Sequence, residues 1–144
     1  MSTRSRRTRT VRHDDGIAVL EVLVLGVGLL VPLLYGALSV MALQSASYAA
    51  TSAAREAARA YVTSATPSQG ASRARTAARL VLADAGLTST GPRVRCVGGA
   101  CLAPATRVDV TVPVVVRLPL LGGGPTFTVT GRESMPVDRY RDTA

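Results

Sequence analysis

The sequence predicts an α+β protein. Its expected parts are a long N-terminal transmembrane helix continuing into an amphipathic helix, a second short helix, and a small, mostly antiparallel sheet of about three strands. Three observations predict it. The run DGIAVLEVLVLGVGLLVPLLYGALSVMAL is almost wholly apolar. The stretch after it is dominated by Ala, the strongest helix former. From Arg93 onward the apolar residues recur every second position, the period of a strand.

The apolar run holds 27 residues from Ile17 to Leu43 and one charge, Glu21. As a helix it covers about 40 Å, more than the roughly 30 Å of bilayer hydrocarbon. Pro32, near the middle, is expected to kink the helix rather than end it, because backbone in lipid must satisfy its own hydrogen bonds. A cleaved secretory signal is the rival. Its apolar region would be shorter and free of acids. The leader, residues 1–16, carries Arg4, Arg6, Arg7, Arg9 and Arg12, whereas the first Arg beyond the span is Arg55. The positive-inside rule then puts the N-terminus in the cytoplasm and the rest of the chain outside.

A carboxylate inside a membrane helix costs roughly 2.5–3.5 kcal/mol at the bilayer centre, so Glu21 is a candidate functional residue whose partner must be named. Gly16, then Ile17, Ala18, Val19 and Leu20, then Glu21, resembles the processing site of type IV prepilins. The resemblance implies cleavage after Gly16 by a membrane-bound prepilin peptidase, with Ile17 as the new N-terminus. The ammonium so created lies four residues from Glu21 on the same helix face, or beside Glu21 of a neighbouring subunit. The plainer alternative is that Glu21 sits at the positive helix end and snorkels to the interface.

Charge and composition narrow the function. The formal +8 divides into +3 for residues 1–16, −1 for the span and +6 after it, and every basic residue is Arg. With one Phe, four Tyr and no Trp, the core must rest on Val, Leu and Ala. The basic leader suits an anionic membrane surface; with no interleaved aromatics, nucleic acid is not the expected partner. The single His, His13, stands beside Asp14 and Asp15 without a second spaced pair, so neither a metal site nor a cofactor is expected. No catalytic His, Cys or Ser constellation is visible outside the leader, and an enzyme is not expected.

Residues 44–65 are expected to continue the first helix without a break to about Val62. Their small side chains suit close helix packing, either at the centre of a filament or beneath the chain's own domain. Thr66, Pro67, Ser68, Gln69 and Gly70 read as a turn. Ser68 or Ser72 would cap a second helix within 66–92. Ala74, Ala77, Ala78, Val81 and Leu82 share one face of it, and Gly86 ends it. Residues 93–133 read as a small β-domain with strands Arg93–Val97, Arg107–Leu118 and Thr126–Arg132. Gly122, Gly123, Gly124 and Pro125 form the loop before the last strand, with Phe127 and Val129 inward beyond it. Pro113 implies an edge position or a bulge. Cys96 and Cys101 flank a tight Gly98-Gly99 turn. An outside location favours a disulfide there, with reduced thiols as the alternative. Residues 134–144 read as a polar tail.

The leader Arg12-His13-Asp14-Asp15-Gly16, the Ala53–Ala60 stretch AAREAARA, and Met135-Pro136-Val137-Asp138-Arg139-Tyr140 together resemble the TadE-like pilus assembly proteins of actinobacteria. That family implies a pseudopilin or minor pilin of a tight-adherence (Flp) pilus or related secretion apparatus. Its partners would be the prepilin peptidase, other pilin-like subunits and the assembly machinery. Flp-type sites usually carry Tyr after the Glu, where this chain has Val22. Two other functions fit the residues: a basic outer domain that holds an acidic polymer (DNA or wall glycopolymer), and an unprocessed, membrane-anchored accessory protein.

Overall fold

The computed structural model of the chain describes residues 15–118 and 124–140. Residues 1–14 of the arginine leader, the loop residues 119–123 with Gly122 and Gly123, and the last four residues of the tail lie outside the described residues. The order of elements is α1 (Asp15–Val62), α2 (Pro67–Asp84), β1 (Arg93–Val97), β2 (Arg107–Arg117) and β3 (Thr126–Pro136). The chain divides into two units, Met1–Gly36 and Ala37–Ala144.

In the first unit α1 is helical from Asp15 and remains so through Pro32. Its large apolar side chains face outward, from Val19 at 67% exposure to Leu33 at 67%.

In the second unit the three strands form one antiparallel sheet in the order β1-β2-β3. One face carries Val108, Val110, Val112, Val114 and Val116 of β2, all buried. Against it α1 presents Ala46, Ala50, Ala53, Ala54, Ala57, Ala58 and Tyr61, a stripe at helical spacing, and α2 adds Ala74, Ala78 and Leu82. Each buried Val contributes roughly 1.5–3 kcal/mol. The alanines contribute little area themselves, but they let a helix lie close to a sheet. The small residues of α1 are therefore taken up by the chain's own sheet and second helix.

α2 starts five residues before Ser72, and neither Ser68 nor Ser72 is its cap. Thr66 is the N-cap, with its hydroxyl accepting from the Gln69 N–H at 3.3 Å, and Pro67 occupies the first turn. The Gln69 side chain reaches back to accept from the Ala65 N–H at 3.1 Å. Thr66-Pro67-Ser68-Gln69 is a capping-box sequence with proline where the missing N–H costs nothing. The expected turn is thus the first turn of the helix. At the other end Gly86 has φ +66° and donates to Ala83 O, while Leu87 donates to Leu82 O at 2.8 Å. This 5→2 and 6→1 pair is a Schellman ending, as the glycine implied.

Each strand begins where the alternation predicts, and β3 runs on to Pro136, beyond Arg132. Val129 is half-buried on the inner face, but Phe127 is 45% exposed and not inward-packed. β3 pairs only with β2, so alternation assigns Phe127 a face without supplying cover at the strand's end. Val137, just past β3, is buried and donates to Thr106 O at 2.8 Å.

Candidate functional site

The residues singled out by the sequence fall in two places. Gly16 and Ile17 lie in the first turn of α1, and Glu21 follows within the same helix. Glu21 is exposed, among the exposed side chains of Leu20, Val22, Leu23, Val24 and Leu25. Pro32 lies within α1 as well. One helix therefore carries Gly16, Ile17, the acid and the apolar length. It is long and apolar enough to cross a membrane: the candidate span begins at Val19, its mean hydropathy reaches 2.2, and the apolar window is not buried within the chain. An exposed apolar surface of that extent fits an apolar surrounding such as lipid.

Cys96 and Cys101 lie in the second unit and form a disulfide with a Cα–Cα distance of 5.2 Å. The turn they close is not a tight hairpin. Cys96 is on β1, opposite Val108, while Cys101 lies in the loop between β1 and β2. That loop runs from Gly98 to Thr106 and needs positive φ at Gly98, Gly99, Leu102 and Ala105. Leu102 is buried, so the disulfide holds a loop that dips into the core.

Pro113 is on the central strand, yet β1 stops short of it: the β1 pairing ends at Arg93 opposite Thr111. The Pro113 carbonyl points toward the side that β1 vacates and accepts from the Ser89 hydroxyl. In an antiparallel strand a residue's N–H and C=O share a side. The donor that proline lacks would therefore have faced this gap. Central placement is tolerated because β1 has ended here and only the isolated Ser89–Val114 bridge covers this side of the strand.

The opposite face of the sheet is open and basic. Arg93 and Arg95 of β1, Arg107 of β2 and Arg132 of β3 are exposed on it. They border a shallow depression of about 910 Å³. The register places Thr111 between Arg93 and Arg132, and Asp109 between Arg95 and Ser134. The Ser134 hydroxyl donates to Asp109 Oδ1 at 2.6 Å. Glu133 points to the other face, where Arg55 Nε of α1 approaches its Oε2 at 3.8 Å. Strand parity alone groups the arginines on one face, but which strands adjoin, and in what register, comes from the fold. Among the described residues no cluster of three His, Cys, Asp or Glu side chains could hold a metal ion. No protein-family model, no curated protein and no solved structure matches the chain.

Proposed function

We propose that the protein is a pilin-like subunit, a pseudopilin or minor pilin of a tight-adherence-type pilus or related secretion apparatus. In this reading it inserts once into the cell membrane with its N-terminus in the cytoplasm. The prepilin peptidase trims it after Gly16, and it assembles with other pilin-like subunits through α1. Its role is structural rather than catalytic.

The observation that supports this most is the composition of the exposed apolar helix. Between Ile17 and Leu43 it carries a single charge, and that charge is an acid one turn from the proposed new amine. An anchor alone needs no carboxylate there. A subunit that must find its neighbour's register does, because the Ile17 ammonium of one chain neutralises Glu21 of the next. The Ala37–Ala144 unit, whose α1 alanines are already covered by its own sheet, would be the outer domain.

The test is the N-terminal sequence of protein purified from cells that express the peptidase. A mature chain starting at Ile17 supports the proposal. A chain that retains its arginine leader there overturns processing and leaves a membrane-anchored accessory protein.

A further inference from the structure

We infer that the open face of the sheet is a binding surface for a base-free phosphodiester polymer, a linear polyol-phosphate chain. This inference is independent of processing at Gly16.

The face assembles charge from all three strands. Arg93 and Arg95 stand two residues apart on one side of β1, about 7 Å along the strand. Arg132 stands across from Arg93 with Thr111 between them, about 10 Å away over two strand spacings. Arg107 lies on the same face of β2 as Thr111. Among these four guanidinium groups the one acid is Asp109, and one of its oxygens is already engaged by Ser134. Glu133 also borders the depression, but its carboxylate lies on the other face, where Arg55 Nε approaches it. The exposed side chains are long enough to converge on a chain lying across the depression.

The chemistry of the groups selects the partner. Guanidinium presents a planar fork of donors that matches phosphate oxygens, and it stays charged at any physiological pH. Arginines spaced over the face suit a ligand with repeated, regularly placed phosphates rather than one small anion. Thr111 adds a hydroxyl, and the Ser134 oxygen, whose hydrogen is given to Asp109, can still accept from a polyol hydroxyl. Stacking platforms for single-stranded bases are aromatic, and no aromatic side chain borders the depression. A second copy of the chain does not complement the face. The protein carries +8 overall, and its exposed acids, such as Glu56 and Asp84, are dispersed among arginines.

The experiment uses the full chain in nanodiscs of zwitterionic lipid, titrated with poly(glycerol phosphate) and, separately, with duplex DNA. Two triple variants remove equal charge: Arg93, Arg95 and Arg132→Gln on the sheet, and Arg73, Arg75 and Arg79→Gln on α2. All six side chains are exposed, so both variants should fold. The expected result is saturable binding of poly(glycerol phosphate). The sheet variant should weaken it at least tenfold and reduce the slope of log K against log salt by about 2, while the α2 variant changes it less than threefold. Equal weakening by both variants means unspecific attraction to net charge and overturns the site. Loss of neither, which would place binding in the arginine leader, overturns it as well. Equal or tighter binding of duplex DNA through the same three arginines overturns the choice of a base-free polymer.

Discussion

Gly131 of β3 lies directly against the Ala50 peptide of α1. A Cβ added at Gly131 would overlap the Ala50 carbonyl group and sit 2.6 Å from Thr51 N. The contact is backbone to backbone, so no rotamer change can relieve a side chain there. It also explains the alanines of α1. A larger residue at Ala50 or Ala54 would lift the helix from the sheet and strip the β2 valines of their cover.

Gly131→Ala should therefore destabilise the Ala37–Ala144 unit by about 3 kcal/mol, the scale of a severe overpacking defect. Gly70→Ala is the matched control. There the added Cβ would meet the Tyr61 ring at 3.0 Å, and a ring can shift. The strain is offset by a helix-propensity gain of about 1 kcal/mol. Urea midpoints of the full chain in mild detergent check both, with the disulfide intact. A Gly131→Ala midpoint equal to wild type would refute the close approach.

Ser89 links the segment after α2 to the central strand. Its hydroxyl donates to Pro113 O and accepts from the Gly91 N–H at 3.1 Å. Ser89→Ala leaves both partners without it and should cost about 1 kcal/mol. The sharper reading is local: amide exchange at Gly91 should accelerate while amides within β2 and β3 keep their protection.

The Cys96–Cys101 disulfide closes a short loop, with a sequence separation of 5. Chain-entropy arithmetic for so short a loop gives about 2 kcal/mol. The double variant Cys96→Ser and Cys101→Ser should lower unfolding stability by that amount. Protease cleavage should then begin within 98–106, where Leu102 loses its tether. Resistance equal to the oxidised protein would show that the loop is held by its own packing.

Glu21→Gln removes the charge but keeps the shape. Membrane insertion should be unchanged, because the amide is cheaper in lipid than the carboxylate. Content in sheared filaments should fall at least tenfold, measured by immunoblot against the membrane fraction. Filament content at the wild-type level would sink the role proposed for the acid while leaving the anchor intact.

Much of the architecture was legible in the residues because it rests on local rules. Apolar length marks the first part of α1, Ala content carries the helix to Val62, and alternating valines set the inner face of β2. The second helix's start was legible too, in Thr66-Pro67-Ser68-Gln69, but proline and glycine drew attention to a turn where a capping box was present. Phe127 falls on the face that alternation assigns it, opposite Val116, but is 45% exposed there, because alternation says nothing of what covers a face.

By itself the sequence determined the apolar helix and its lone acid, the strand parity that puts five arginines away from the valines, and the two cysteines near enough to join. Each depends on residue type and spacing within a short window. The tertiary structure alone decided that Gly131 meets Ala50, that Pro113 sits beside the gap left by β1, and that Arg93 and Arg132 flank Thr111. These are contacts between segments far apart in the chain, and register between strands is set by packing of the whole inner face rather than by any one segment.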